Sequence, residues 1–279
     1  MPLTYVYCLV RSARRPALRK PPLPVPGGES IRFVDVGQRL WAVASDVAAA
    51  DYSEEALRRG LQDLEWVGRR AMAHEAVVER FLSAPALLPM QLFTLFTSDE
   101  RLNEYVRRER RRLERILSRI EKHLEWGVRL AFDEKAARDA VERKHSRTVR
   151  AATAKKNRDA ARTFMVRETA GSDYLARKRD LLDVSRVQLT HARTEANRLF
   201  RALAQAATEA RRRTDTEQAA PGSRLLLDAA FLVPARRSTA FKSALQKKAR
   251  MLDDAGVAVS LTGPWPPYNF IGPRSRVTR

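Results

Sequence analysis

The sequence predicts an α+β fold: two small α+β domains, each a sandwich of the ferredoxin-like type, with a long helical, coiled-coil-like element between them. Three observations carry this. Short β-branched and aromatic runs alternate with amphipathic helical stretches in the first half. A leucine and alanine repeat of seven runs through residues 175–210. A second strand and helix alternation follows it, and 44% hydrophobic residues in 279 are enough to fill cores in both halves.

Leu3–Val10 is β-branched and aromatic without helical period, which is the pattern of a strand. Residues 14–29 hold five prolines and the pair Gly27-Gly28, so they form a loop, because proline lacks the N–H a ladder needs. Ile31–Val36 and Leu40–Ser45, joined near Gly37-Gln38, read as a hairpin. Asp51 or Ser53 caps the next helix, with Glu54 and Glu55 in its first turn. Leu57, Leu61, Leu64, Val67 and Ala71 predict one apolar stripe, continued by Val77, Val78 and Phe81. The apolar run Leu87–Phe96 predicts a strand with Pro89 near its start. Ser98 or Asp99 opens a very basic helix through about Arg119, its narrow stripe formed by Leu102, Val106, Leu113, Ile116 and Leu117. Trp126–Phe132 reads as the last strand of a mainly antiparallel sheet with helices on one face.

The first domain is therefore expected to span residues 1–133. Residues 134–170 are rich in Lys, Arg and Ala with few large apolar side chains, the composition of an exposed basic helix or linker. The second domain spans 171–279. Its helix runs from about Ser172 to Arg213. Leu175, Leu182, Leu189, Ala196, Leu203 and Ala210 recur every seven residues, and Ala192, Leu199 and Ala206 stand beside them. Such a seam packs either on its own domain, the reading preferred here, or on another chain. Leu225–Val233 follows as a strand, Ser238 caps a helix through Leu252 that ends at Ala255-Gly256, and Val257–Thr262 is a strand.

Charge and motif content narrow the function. With 53 basic against 33 acidic residues the net charge is +20, and residues 101–170 alone hold 21 basic and 11 acidic side chains. Half of the surplus thus sits in a quarter of the chain, which bears on partners rather than on fold. A single cysteine, Cys8, in an apolar run reads as a buried small hydrophobe and excludes an internal disulfide. The first residues lack a basic n-region, and no apolar run reaches the length of a membrane span, so a cytoplasmic protein is expected.

The phosphate-loop, dinucleotide and nucleophile-elbow patterns are absent. The four histidines are scattered, and His74-Glu75 lacks the second histidine of a zinc helix. Glu121 and Glu125 read as a solvated ion-pair face. No enzyme chemistry, metal or cofactor is expected. Two surface features remain. Arg107, Arg108, Arg110, Arg111, Arg112 and Arg115 form a basic surface, for an acidic partner or, as the alternative function, for nucleic acid; it lacks interleaved aromatics for base stacking. Pro264, Trp265, Pro266, Pro267, Tyr268 and Phe270 form a rigid aromatic and proline segment after Leu261-Thr262-Gly263, read as a packed clasp or, less readily, as a partner platform.

That last string, L-T-G-P-W-P-P-Y-x-F, resembles the C-terminal signature of the gas vesicle GvpF/GvpL family. Tyr5-Val6-Tyr7, Leu40–Val47, His74–Glu79, Glu125–Val128 and Gly171–Leu175 resemble further stretches of that family in the same order, over nearly the whole chain. One departure stands out. Where the family often shows L-P-x-R-F-G-T-x-F, its Arg, Phe and Gly become Gln91, Leu92 and Phe93. The resemblance implies two α+β domains with no cofactor. It also implies a cytoplasmic accessory or minor structural protein of gas vesicle assembly, which contacts the small hydrophobic shell protein and other accessory proteins without catalysis.

Overall fold

Strand β1 (Pro2–Arg11) is the axis of the first sheet, because its β-branched and aromatic run is buried at every position from Thr4 to Val10. The computed structural model describes residues 2–18, 20–137, 139, 172–213, 222–253 and 256–272. The chain divides into two units, Met1–Trp126 with Leu232–Ser238 and Gly263–Arg279, and Gly127–Phe231 with Thr239–Thr262. The expected division into consecutive segments 1–133 and 171–279 thus differs from the interleaved units observed. The physical reason is that residues 268–272 hydrogen-bond to Glu75, Arg119 and Glu125 of the first unit. Of the expected basic segment 134–170, position 138 and residues 140–170 lie outside the described residues.

In the first unit the sheet order is β2 (Arg32–Asp35), β3 (Leu40–Ala48), β1, β4 (Ala86–Pro89), with β5 (Leu95–Phe96) also on β1. Every one of these pairings is antiparallel. The register of β1 against β3 slips between Val6 and Cys8. One extra residue, Tyr7, reverses the alternation of faces, so Tyr5 before the bulge, Tyr7 in it, and Cys8 and Val10 after it all reach one core with Val43, Val47, Val77, Val78 and Phe81. On the other side Thr4 donates to Asp99 of α4. A strand buried on both faces is covered on both, which replaces the expectation of helices on one face only.

The helical predictions hold in outline and break in detail. Ser53 does cap α2 (Glu54–Gly60), which follows the single turn α1 (Ala49–Tyr52). The predicted continuous stripe is interrupted. Asp63 accepts from the N–H groups of Glu65 and Trp66 and starts a separate helix, α3 (Leu64–Glu79). Leu61 and Leu64 consequently face water instead of the core. Ser98 caps α4 (Asp99–Arg108), and a break at Glu109 separates it from α5 (Arg110–Ile120), where a single helix was expected. The apolar segment after Pro85 is two short strands rather than one. Between them Phe93 has φ +65°, a left-handed conformation costly for a bulky residue. This is the position at which the family pattern carries glycine.

The second sheet has the order β7 (Glu209–Arg212), β8 (Ser223–Pro234), β6 (His123–Asp133), β9 (Val257–Trp265). Strand β6 therefore belongs here and not to the first sheet as predicted. The long helix α6 (Ser172–Ala206) ends before Arg213, since 209–212 pair as the edge strand. Its Ala192, Ala196, Leu199 and Leu203 are buried at alternating four and three residue steps, so this part of the seam packs within the chain. Leu175 and Leu182 lie outside the residues whose side chains are described. Phe231 joins α6 to α7 (Ser238–Asp253), with ring centroids 5.7 Å from Phe200 and 5.4 Å from Phe241. Strand β9 continues through Trp265, three residues beyond the predicted end.

Candidate functional site

The C-terminal motif divides in two. Pro266, Pro267 and Phe270 are buried, and Tyr268 is half-buried. Pro264 and Trp265 stay on the surface, Trp265 with 38% of its area exposed. Proline-restricted backbone lets residues 266–270 pack at low entropic cost. Three polar contacts fix them. Tyr268 Oη donates to Glu75 Oε2 at 2.6 Å, Glu125 accepts from the Asn269 N–H at 2.9 Å and from its side-chain amide, and Arg119 donates to the carbonyls of Phe270 and Gly272. Glu125 is buried, which corrects its reading as part of a solvated face; Asn269 supplies donors that make burial of the carboxylate tolerable. Burial raises the Glu75 carboxyl above its ordinary range, against the lowering effect of the Tyr268 hydrogen bond. Burial and that carboxylate together hold the Tyr268 hydroxyl well above the usual tyrosine range.

Behind the motif, β1 and α3 bring a second set of polar rings together. Tyr5 Oη lies 2.8 Å from Nδ1 of His74 and accepts from Phe93 N–H at 3.4 Å. Tyr7 Oη donates to Ser45 and accepts from Val25 N–H, and Tyr52 Oη donates to the carbonyl of Pro26. These hydroxyls tie the proline-rich loop and the Phe93 turn to the sheet. Burial lowers His74 to about 4, so it is neutral at physiological pH. His74-Glu75 is thus a pair of packing residues. Among the described residues no group of three or more His, Cys, Asp or Glu is placed to hold a metal ion, and no helix is long and apolar enough to cross a membrane. Burial raises the thiol of Cys8 well above its ordinary value.

The arginines of α4 and α5 lie outward while Leu102, Val106, Leu113, Ile116, Leu117 and Ile120 are buried. Of the six predicted, Arg108 and Arg112 pair with Glu109, and Arg110 pairs with Glu114. Arg107, Arg111 and Arg115 are exposed, and no carboxylate among the described residues lies within ion-pair distance of them. The structure does not bring this surface and the C-terminal motif into one site.

A third surface is absent from the sequence reading. Leu64 and Met72 are 88% and 70% exposed, on α3, with Leu61 at 56% just before it. Gly68 stands between Leu64 and Met72 at the i, i+4, i+8 spacing of one ridge, and a side chain added there would meet nothing within 4 Å. Beside this ridge a depression of about 400 Å³ is lined by Asp51, Arg59, Gly60, Asp63, Trp66 and Arg70. The Arg70 guanidinium lies 3.6 Å from the Trp66 ring centroid. The legible signal was the Asp63 cap, which separates Leu64 from the α2 stripe.

The chain is similar to known proteins over nearly its whole length. The chain is 32% identical over 249 residues to gas vesicle protein L of Streptomyces sp. (strain CB03234), covering 88% of this chain and 85% of that one. Its fold is similar to the crystal structure of gas vesicle protein GvpF from Anabaena sp. PCC7120, with TM-score 0.63, 14% identity, and 99% and 98% of the two chains covered. GvpF from Microcystis aeruginosa is similar too, with TM-score 0.58, 13% identity, and 97% and 99% covered. Residues 3–272 match the family of gas vesicle synthesis proteins GvpL/GvpF, and the chain belongs to that family.

Proposed function

We propose that this gas vesicle protein acts by binding alone, as an accessory or minor structural component of assembly that holds the hydrophobic shell protein on the Leu64–Gly68–Met72 ridge and meets other accessory proteins elsewhere. The ridge is the observation that supports this reading. Glycine within a helix costs about 0.5–1 kcal/mol relative to alanine. At Gly68 nothing among the described residues requires it: φ is not positive and no neighbour is close. A partner helix approaching the backbone between two apolar side chains does require it. Burying each of the exposed side chains at such a contact contributes roughly 1.5–3 kcal/mol. The shell protein, small and apolar, gains a cover against self-association in the cytoplasm before it enters the vesicle.

The test is co-expression with the shell protein and the other accessory proteins, followed by capture on this chain. Gly68→Ala should stabilise the isolated protein by about 0.5–1 kcal/mol and at the same time reduce shell-protein recovery, as should Leu64→Ser with Met72→Ser. Undiminished recovery from both variants would move the contact elsewhere. No recovery by the folded wild-type chain would remove the reading altogether.

A further inference from the structure

We infer that the outer face of α4 and α5 is a second docking surface, for an acidic helix of a partner protein that carries carboxylates at i, i+4 and i+8. Its contacts are Arg107, Arg111 and Arg115. They are themselves spaced by four along a stretch that stays nearly helical across the break, with the Glu109 N–H bonded to the carbonyl of Tyr105 and the Leu113 N–H to that of Glu109. Side chains four apart stand about 5–6 Å from one another on a helix, so carboxylates of the same period meet all three.

Two features separate this row from an ordinary solvated charge run. The other arginines of the two helices are engaged: Arg101 with Glu104, Arg108 and Arg112 with Glu109, Arg110 with Glu114, and Arg119 with the carbonyls of Phe270 and Gly272. Among the described residues, the three arginines of the row have neither a carboxylate within ion-pair distance nor a carbonyl of a distant segment as partner. Two of the three side chains are also ordered in advance. Arg107 Nε donates to Asn103 O at 3.3 Å and Arg115 Nε to Arg111 O at 3.2 Å, the same i to i−4 contact twice. Holding a long side chain on its own helix lowers the entropy lost when the guanidinium meets a partner.

The surroundings favour a protein helix over nucleic acid. The one aromatic on this stretch, Tyr105, is half-buried with its ring centroid 5.4 Å from that of Phe96, so no ring is offered for base stacking. Bidentate pairing of guanidinium with carboxylate supplies the register.

The full chain is titrated at low salt with a designed alanine-based helical peptide bearing glutamates at i, i+4 and i+8. Controls are a peptide of the same composition with the glutamates scrambled and a random-sequence DNA duplex. The spaced peptide should bind about tenfold tighter than the scrambled one, and Arg107→Gln with Arg111→Gln and Arg115→Gln should abolish that preference. Circular dichroism of the triple variant checks its fold, and Arg108→Gln with Arg112→Gln should leave the preference in place. Equal affinity for both peptides, or tighter binding of DNA that the triple variant loses, would overturn the proposal. So would a preference that survives the triple variant.

Discussion

The interior behind β1 and the arginine face of α4 and α5 are both dense in polar side chains, and they use them in opposite ways. Around Tyr5, Tyr7, Tyr52 and His74 each polar atom named above is buried against a specific partner, so the polar groups specify which loop lies where. On the arginine face the groups are exposed or half-buried, their ion pairs join neighbours along the same helices, and water screens them. Position relative to water, more than residue type, decides whether a polar contact contributes to the fold.

Four measurements can break that contrast. The largest effect is expected where the interior is sealed. Phe270→Ala removes a fully buried ring and should cost about 3–5 kcal/mol in denaturant unfolding. A cost below about 1 kcal/mol would mean that the motif is an appendage.

Next is pH. His74 titrates near 4 in the folded chain and near 6.5 when unfolded. Between these values the unfolded chain binds the extra proton, so the contribution of His74 to stability falls as pH drops from 6.5 to 4 and is level outside that window. The loss approaches roughly 3 kcal/mol. His74→Gln should flatten the profile across this interval, and a profile unchanged by that variant would remove His74 as its cause.

A smaller effect is expected at Phe93. Phe93→Gly and Phe93→Ala both lose a ring centroid 5.5 Å from that of Trp66, but only alanine keeps a Cβ at φ +65°. The glycine variant should be the more stable of the two by about 1 kcal/mol; equal melting temperatures would show that the turn relaxes. Smallest of all, Arg107→Gln with Arg111→Gln and Arg115→Gln should change stability by no more than about 0.5 kcal/mol. A larger loss would show that the exposed face supports the fold after all.

The same contrast explains what the sequence made legible. The β1 run, the β2–β3 hairpin, the caps at Ser53 and Ser98 and the apolar stripe of α4 and α5 depend on local periodicity and turn chemistry, and each could be read directly. The membership of β6 in the second sheet, the burial of Glu125 and the end of α6 before β7 depend on which distant segment arrives. Glu125 beside Trp126-Gly127 looks like a surface acid until Asn269 brings its two donors. Leu64 failed for a subtler reason: it keeps the leucine spacing of α2, and only the Asp63 cap shows that the helix has restarted with a different face outward. The arginine row was visible as a charge run, but which of its members pair with a carboxylate among the described residues depends on the fold. The aromatic and proline string was legible as a family signature, yet not as two halves with different exposure.

The interleaving of the first unit has a consequence for biosynthesis. Its sheet and helices are complete by Trp126, but Tyr268, Asn269 and Phe270 are translated only after the whole second unit. At about 5–20 residues per second on the ribosome, the first unit waits on the order of ten seconds for its last pieces. Throughout that interval Glu75 and Glu125 have neither Tyr268 nor Asn269 to bond, and the pocket for Phe270 stands open. The apolar surface that Phe270 covers is therefore among the last in the first unit to be sealed, and it is open to other hydrophobic chains until synthesis is nearly complete.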